Sequence, residues 1–298
     1  MAAAPTPART HPPVSIRTIA VLGAGIMGRG IAYAAALGGY QTRLQDANEE
    51  ALERGLADIS AILEKGVASG KVAGPDMVAA RERLRSARTL EEAAREADLV
   101  IEAVPEDMAL KLRIFRELDR VSPPHALFAT NTSSLSITEM GGATTRPAQV
   151  VGMHFFNPVH RMRLLEIVRG LETGDAAIAA ASEVGVAMGK ECVVVRESPG
   201  FVTTRINAMI GNEAFNMLME GVASARDIDK ALKLGLNHPM GPFELMDLVG
   251  LDTRLSILRF LHRTLGDKFR PCPLHEQYVA AGRLGRKSGR GVYDYPAS

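Results

Sequence analysis

The chain has 298 residues, 46% of them hydrophobic, and a formal net charge of +1, which allows one large domain or two ordinary ones. Its basic residues are scattered and no apolar run reaches the roughly 18 residues of a membrane helix, so we expect neither a nucleic-acid-binding surface nor membrane insertion. The two cysteines stand far apart and no metal-ligand spacing occurs, which favours a reducing compartment, the cytoplasm, and predicts no metal site.

Residues 1–15 contain four prolines and no acidic residue. An acid-poor segment with arginine is compatible with a mitochondrial presequence. The prolines, however, would break the amphipathic helix that a presequence needs. We therefore interpret residues 1–15 as a disordered tail.

From residue 16 to residue 198 the chain alternates between β-like and helical segments. The β-like runs are 18–22, 41–44, 99–103, 127–130, 149–153 and 164–168, and the helical segments are 29–37, 48–68, 90–97 and 107–121. This alternation predicts parallel strands joined by crossover helices. From there to about residue 265 nearly every segment is helical in pattern, and β-like sequence returns only at 291–295. We therefore predict an α/β fold, with a Rossmann-type domain at 16–198 and a smaller all-helical domain at 199–298.

A glycine-rich motif follows the first β-like run and opens a helix. It comprises Gly23, Gly25, Ile26, Met27 and Gly28. In a dinucleotide-binding fold these glycines allow a tight turn, a close approach of the pyrophosphate and helix–strand packing. Asp46 ends the second β-like run, where its carboxylate would bind the adenine ribose and repel a 2′-phosphate. The spacing predicts NAD rather than NADP. The alternative is that the glycines only form a turn and Asp46 caps the next helix.

Two polar groups follow later strands of the same domain. The hydroxyl-rich run 130–135 stands at the end of a β-like run, where its side chains would bind a substrate oxygen or cap a helix. His154 follows the run 149–153, and Glu166 lies in the next run, beyond a short Asn-Pro loop. We expect the two side chains to meet, because a histidine oriented by a carboxylate transfers protons near neutral pH. His160, in the loop, is the competing histidine and has no obvious partner.

Together these motifs resemble the L-3-hydroxyacyl-CoA dehydrogenase family, especially its bacterial 3-hydroxybutyryl-CoA dehydrogenases. The matching segments are 23–28, 101–106, 131–135, 154–158, 198–201, 238–244, 247–252 and 285–291. The resemblance spans about residues 16–295 and is less specific to substrate than to the superfamily. It implies NAD-dependent oxidation of an L-3-hydroxyacyl-CoA to the 3-oxoacyl-CoA, or the reverse, in a homodimer joined through the helical domain.

The resemblance also implies a role for each matched residue. His154 would take the C3 hydroxyl proton as general base, Glu166 would orient the imidazole, and Ser133 would bind the C3 oxygen. Contacts with NAD are implied for Glu106, Lys111, Ser133, Asn157 and Lys287. The alternatives are solvated charges at a helix start for Glu106 and Lys111, a turn residue for Asn157 and a tail charge for Lys287.

The sequence departs from the family pattern in two places. Thr204 stands at the head of the first helix of the second domain, where many members carry an asparagine. Because threonine offers only one short hydroxyl, we expect some contact to the substrate or to the catalytic centre to be lost or mediated by water. Glu64 stands where a CoA-binding serine is expected. Lys71 matches the lysine that would pair with a CoA phosphate, or is a solvated loop lysine.

Three questions stay open at this point. The substrate could instead be a hydroxy acid without CoA, of the sugar-acid or carnitine type. The chain could be an NAD-binding protein without catalytic activity, although His154 and Glu166 argue against this. Four apolar residues of the helical domain could form a dimer interface or an ordinary core: Met209, Met217, Leu218 and Met219.

Overall fold

The computed structural model describes residues 15–296. The predicted disordered tail falls outside the described residues, apart from Ser15. The chain divides into two compact units, one ending at Glu197 and one beginning at Ser198. No helix within 15–296 is both long enough and apolar enough to cross a bilayer.

One sheet of eight strands forms the centre of the first unit, as far as the chain is described. Its strands are β1 (Thr18–Leu22), β2 (Gln41–Gln45), β3 (Leu84–Ala87), β4 (Leu99–Glu102), β5 (Leu127–Thr130), β6 (Val150–Phe155), β7 (Leu164–Arg169) and β8 (Glu191–Arg196). The strand order is β3-β2-β1-β4-β5-β6-β7-β8. All neighbouring strands are parallel except β6 and β7, which are antiparallel.

Helices connect these strands and cover the sheet. They are α1 (Ile26–Leu37), α2 (Glu49–Ala68), α3 (Gly74–Arg83), α4 (Leu90–Ala94), α5 (Met108–Val121), α6 (Ile137–Gly142) and α7 (Asp175–Ala187). β4 and β5 are buried along their whole length, as expected for parallel strands covered on both faces. The order of connection reverses between β1 and β4, and in open α/β sheets ligands bind at the carboxyl ends of the strands at that point.

The second unit is helical. It contains α8 (Thr203–Met219), α9 (Ala225–Gly235), α10 (Pro242–Val249), α11 (Leu251–Leu265) and α12 (Pro273–Ala280). Its core includes Phe215 and Phe243, whose rings meet edge to face with centroids 5.2 Å apart. The predicted α/β domain followed by an all-helical domain is confirmed.

Several details differ from the prediction. β6 continues to Phe155, so His154 lies inside a strand rather than after one. The predicted helix 90–97 ends at Ala94. The β-like run 291–295 takes part in a single isolated bridge among the described residues, between Asp294 and Arg290. The sequence analysis also missed five elements: β3, β8, α3, α6 and α7.

Candidate active site

The loop between β1 and α1 has the geometry of a phosphate-binding turn. Gly23 has φ +96°, and a Cβ there would lie 2.7 Å from the carbonyl oxygen of Ala103. A Cβ at Gly28 would lie 1.7 Å from the carbonyl oxygen of Gly23, whereas Gly25 faces open space. α1 begins with no side-chain cap and no acidic residue in its first turn. Its first amides and the positive end of its dipole therefore suit a pyrophosphate.

Asp46 stands at the edge of this loop. Its Oδ2 accepts a hydrogen bond from the Ala24 amide at 2.7 Å, and its Oδ1 accepts one from the Asn48 amide at 2.9 Å. Each carboxylate oxygen keeps capacity for a second donor, such as a ribose hydroxyl. The helix-cap alternative is wrong, because Asn48 caps α2 by accepting from the Ala51 amide. The open space at Gly25 and the half-buried acid at Asp46 fit NAD.

His154 and Glu166 are directly opposite each other on the antiparallel strands β6 and β7. His154 Nδ1 lies 2.7 Å from Glu166 Oε2, and Glu166 is only 1% exposed. A carboxylate that accepts the Nδ1 proton leaves the lone pair of the neutral imidazole on Nε2. The ring of Phe156 packs against the imidazole, with centroids 4.5 Å apart. The arrangement suits a base that works at the carboxyl end of the sheet.

Ser133 lies just beyond the carboxyl end of β5, the strand next to β6. Its amide donates to Glu106 Oε1 at 3.1 Å. The same oxygen accepts from the Thr132 hydroxyl. On the other side of the loop, the Asn131 side chain accepts from the Phe155 amide at 2.9 Å, beside His154. Ser136, not Ser133, caps α6, so the loop holds Ser133 in place without using it as a helix cap.

Two other predicted NAD contacts, Lys111 and Asn157, differ in how far they are buried. Lys111 is 1% exposed, and its Nζ lies 2.7 Å from Glu102 and 3.4 Å from Glu106. The alternative that Lys111 is a solvated charge is therefore wrong. Asn157 is exposed and precedes Pro158 through a cis peptide bond.

Two predicted site residues belong to the second unit. Thr204 is half-buried in the first turn of α8. Lys287 lies 2.7 Å from Asp252 Oδ2. Its ammonium is therefore paired with a carboxylate of the same unit rather than being a free charge of the chain end.

Lys71 lines a cavity of about 450 Å³ in the first unit, between α1, α2, the β6–β7 loop and the end of α7. Its basic lining residues are Lys65, Lys71, His160, Arg161, Arg163 and Lys190, and its described lining includes no carboxylate. Lys190 is buried and donates to the Met162 carbonyl at 3.0 Å. Partial burial, then Arg161, Lys190 and Lys71, lower the pKa of His160. A cavity of this charge favours an anionic ligand.

Sequence reasoning missed three residues that shape these sites. Glu102 ends β4 as a fully buried carboxylate, Asn131 holds the start of the Ser133 loop, and Arg161 lines the basic cavity. A glutamate within an apolar strand is a signal that could have identified Glu102, because buried carboxylates require partners. Arg161 has no such signal, because the cavity collects side chains from four separate segments.

A dinucleotide-binding turn together with a buried histidine–carboxylate pair defines an NAD-dependent dehydrogenase. A family model described as 3-hydroxyacyl-CoA dehydrogenase, NAD binding domain, matches residues 18–198. A second, described as 3-hydroxyacyl-CoA dehydrogenase, C-terminal domain, matches residues 200–295. The chain belongs to the 3-hydroxyacyl-CoA dehydrogenase family, and NAD is its cofactor. The family resemblance predicted from the sequence is confirmed.

Individual proteins are similar in sequence to this chain along almost its full length. A probable 3-hydroxybutyryl-CoA dehydrogenase of Bacillus subtilis (strain 168) is 48% identical over 283 residues, covering 95% of this chain and 98% of that protein. A 3-hydroxybutyryl-CoA dehydrogenase of Bradyrhizobium diazoefficiens is 45% identical over 281 residues, covering 94% and 96%. The solved (S)-3-hydroxybutyryl-CoA dehydrogenase of Ralstonia eutropha matches with a TM-score of 0.92 at 42% identity, covering 95% of this chain and 100% of that one.

Proposed function

We propose that the chain interconverts an L-3-hydroxyacyl-CoA, such as 3-hydroxybutyryl-CoA, and the 3-oxoacyl-CoA, with His154 as the general base. The observation that carries this proposal is the 2.7 Å contact between His154 and the buried Glu166 in the sheet that also carries the dinucleotide turn. The names of the similar proteins support the substrate class.

In the proposed mechanism, a protein side chain accepts the proton of the substrate's C3 hydroxyl. NAD, when bound, supplies the acceptor for the hydride that leaves C3. His154 Nε2 takes the proton of the C3 hydroxyl, and Glu166 stabilises the positive imidazole that results. The Ser133 hydroxyl donates a hydrogen bond to the C3 oxygen. In the reverse direction, the imidazolium returns the proton to that oxygen.

We propose that two groups of residues hold NAD. The turn of residues 23–28, including Ile26 and Met27, faces the pyrophosphate, and Asp46 binds the adenine ribose. The second group comprises Glu106, Lys111, Ser133, Asn157 and Lys287. Of these, Lys111 is buried behind Glu106, so its effect on NAD would pass through that carboxylate.

The basic cavity supports a CoA thioester over a free hydroxy acid. CoA carries phosphates, and Lys71 lies with five other basic residues in one cavity. Glu64, at the expected serine position, pairs with Arg81 instead, so the cavity offers cations without that carboxylate. Thr204 would reach the substrate through its single hydroxyl or through water.

The function is tested by oxidation of NADH in the presence of acetoacetyl-CoA. We expect turnover with acetoacetyl-CoA and far less with acetoacetate, because only the thioester fills the basic cavity. His154→Gln should abolish turnover, whereas His125→Gln, at an exposed histidine paired with Asp98, should not. Turnover of free acids alone would contradict the CoA assignment. Equal rates in wild type and His154→Gln would remove His154 from the mechanism.

We also propose a cytoplasmic homodimer joined through the second unit. Met217 and Leu218 pack against that unit's core, whereas Met209 and Met219 are exposed. Nearby Leu236 is 66% exposed and, with Met209, lines an open groove of about 650 Å³. Light scattering should give twice the chain mass for the wild type and a monomer for Leu236→Glu. If the wild type and Leu236→Glu have the same mass, this surface is not the interface.

A further inference from the structure

Glu102 is a fully buried carboxylate at the last position of β4. Its oxygens accept from Lys111 Nζ at 2.7 and 2.8 Å, from the Thr130 hydroxyl at 2.7 Å and from the Val104 amide at 2.7 Å. One side chain therefore joins the end of β4, the first turns of α5 and the end of β5. The loops that follow β4 and β5 carry Glu106 and Ser133.

Lys111 connects Glu102 to the reacting loop. Its Nζ also lies 3.4 Å from Glu106 Oε2. The other oxygen of Glu106 accepts from the Ser133 amide at 3.1 Å and from the Ser134 hydroxyl at 3.4 Å. The contacts therefore run without a gap from Glu102 through Lys111 and Glu106 to Ser133.

The two carboxylates share one buried ammonium. Glu102 holds Lys111 at hydrogen-bond distance, and Glu106 stays further away, which leaves Glu106 able to hold the Ser133 amide. If Glu102 lost its charge, Lys111 would keep only Glu106 as a charged partner within 4 Å among the described residues. A buried cation pairs strongly with its nearest carboxylate, so Glu106 would turn toward Lys111 and away from Ser133.

We propose that Glu102 is a positioning residue of the active site. It holds Ser133 in position through Lys111 and Glu106. The inference rests on the proposed function, because it takes Ser133 as the hydrogen-bond donor to the substrate's C3 oxygen. Its alternative is a purely structural ion pair. Replacing buried ion pairs by apolar residues is often neutral or stabilising, so a stability measurement alone does not decide between the two.

The test is a double-mutant cycle on the full chain with acetoacetyl-CoA and NADH. Glu102→Gln should lower kcat about 10-fold or more, because small displacements of a positioned group slow the chemistry. Ser133→Ala should also be slow. If Glu102 acts through Ser133, the double variant is no slower than Ser133→Ala alone, within about twofold. The pH at which activity rises should stay unchanged in Glu102→Gln, since His154 and Glu166 are untouched.

Two further variants complete the test: a milder change beside Glu102, and a control at a carboxylate outside the active site. Thr130→Val removes one hydroxyl donor from Glu102, together with the long 3.3 Å hydrogen bond that the Thr130 hydroxyl accepts from the Thr132 amide. It keeps the charge of Glu102, so it should give a smaller loss of kcat than Glu102→Gln, again absent in the Ser133→Ala background. Asp98→Asn alters a carboxylate just before the other end of β4, which holds the Arg17 and Thr18 amides. It should leave kcat unchanged.

Each outcome has a separate meaning. Losses that multiply in the double variants, or unchanged kcat in both Glu102→Gln and Thr130→Val, would overturn the positioning role. So would a Ser133→Ala variant with wild-type kcat. A wild type that does not turn over acetoacetyl-CoA would instead overturn the proposed function itself.

Discussion

Glu166 is a buried carboxylate in β7, and burial of a charge is unfavourable unless the charge has a partner. Its one charge faces His154 across the β6–β7 pair. Glu166→Gln keeps the size of the side chain but removes the charge that, in the proposed mechanism, stabilises the protonated imidazole. We expect kcat to fall about 100-fold, within the range typical of general acid–base catalysis, with a smaller change in KM. Steady-state kinetics check this, with Glu172→Gln, at an exposed site past β7, as the control. A loss below threefold would contradict the orienting role.

We propose that Asp46 selects which nicotinamide cofactor is bound. Both of its oxygens already accept backbone amides, so Asp46→Asn would place a donor against one of them and remove the negative charge. We expect KM for NAD to rise about 10-fold or more, because hydrogen bonds to charged groups contribute about 1.5–3 kcal/mol. The preference for NAD over NADP should decrease. Kinetics with both cofactors test this, with Glu53→Gln on the exposed face of α2 as the control. An unchanged cofactor ratio would exclude Asp46 as the selecting residue.

At the scale of the elements, the sequence was most informative where a motif coincided with a clear apolar run. The turn of residues 23–28 and Asp46 were predictable, because strand ends place side chains at one edge of a sheet. The meeting of His154 with Glu166 was predictable because a loop joins the two strands that carry them. β3 was missed because only Ala87 of its four residues is buried. β8 lies at the sheet edge. Its residues 192–195 are consecutive apolar residues, so its sequence lacks the alternation that identifies a half-buried strand.

Contacts between distant segments could not be predicted. The ion pair of Glu102 and Lys111 depends on how α5 packs beside β4. The basic cavity depends on α7, which the pattern did not reveal. α7 is rich in alanine and several of its buried residues are small, so its sequence is only weakly amphipathic. Periodicity reports which face of an element is buried, but it does not report the neighbour that covers that face.

The segment after α12 is attached to the helical unit through Asp247. This buried carboxylate accepts from the amides of Val292 and Tyr293 and from the Tyr295 hydroxyl, each at 2.9 Å. Burial and the Asp247 charge raise the pKa of Tyr295 to about 12, so the phenol remains a donor at neutral pH. The attachment is therefore intact throughout the physiological pH range.

Tyr295→Phe removes one hydrogen bond to a charged acceptor without changing the ring. We expect the free energy of unfolding to fall by about 1–2 kcal/mol. Urea denaturation followed by circular dichroism measures this, since the chain has no tryptophan. Arg290→Gln, at an exposed ion pair with Asp294, should change the free energy by less than about 0.5 kcal/mol. Equal effects of the two variants would show that the Asp247 contact does not hold the segment.

At the scale of the whole molecule, a net charge of +1 conceals an uneven distribution. Five lysine and arginine side chains line one cavity of the first unit. Among the described residues each unit also buries two carboxylates, Glu102 and Glu166 in the first and Asp229 and Asp247 in the second. Each unit also contains a histidine whose pKa is lowered: His160 in the first and His275 in the second. Stability should therefore depend on pH in a window where only histidine titrates.

His275 gives the clearest pH dependence. It is fully buried, stacks on Phe215 with ring centroids 4.7 Å apart, and contacts the Leu251 carbonyl through Nε2. Burial lowers its pKa below the ordinary value of 6.5, so between the lowered pKa and 6.5 the unfolded chain binds more protons than the folded one. The free energy of unfolding should be constant above that window and fall with decreasing pH within it, by at most about 1.4 kcal/mol per pH unit from this group. Urea denaturation at pH 7.5, 6.5 and 5.5 tests this. His275→Gln should be less stable at pH 7.5 but lose less on acidification, because its unfolded form has one fewer proton to gain. If wild type and variant have the same pH dependence, His275 is not the group that couples folding of the second unit to protons.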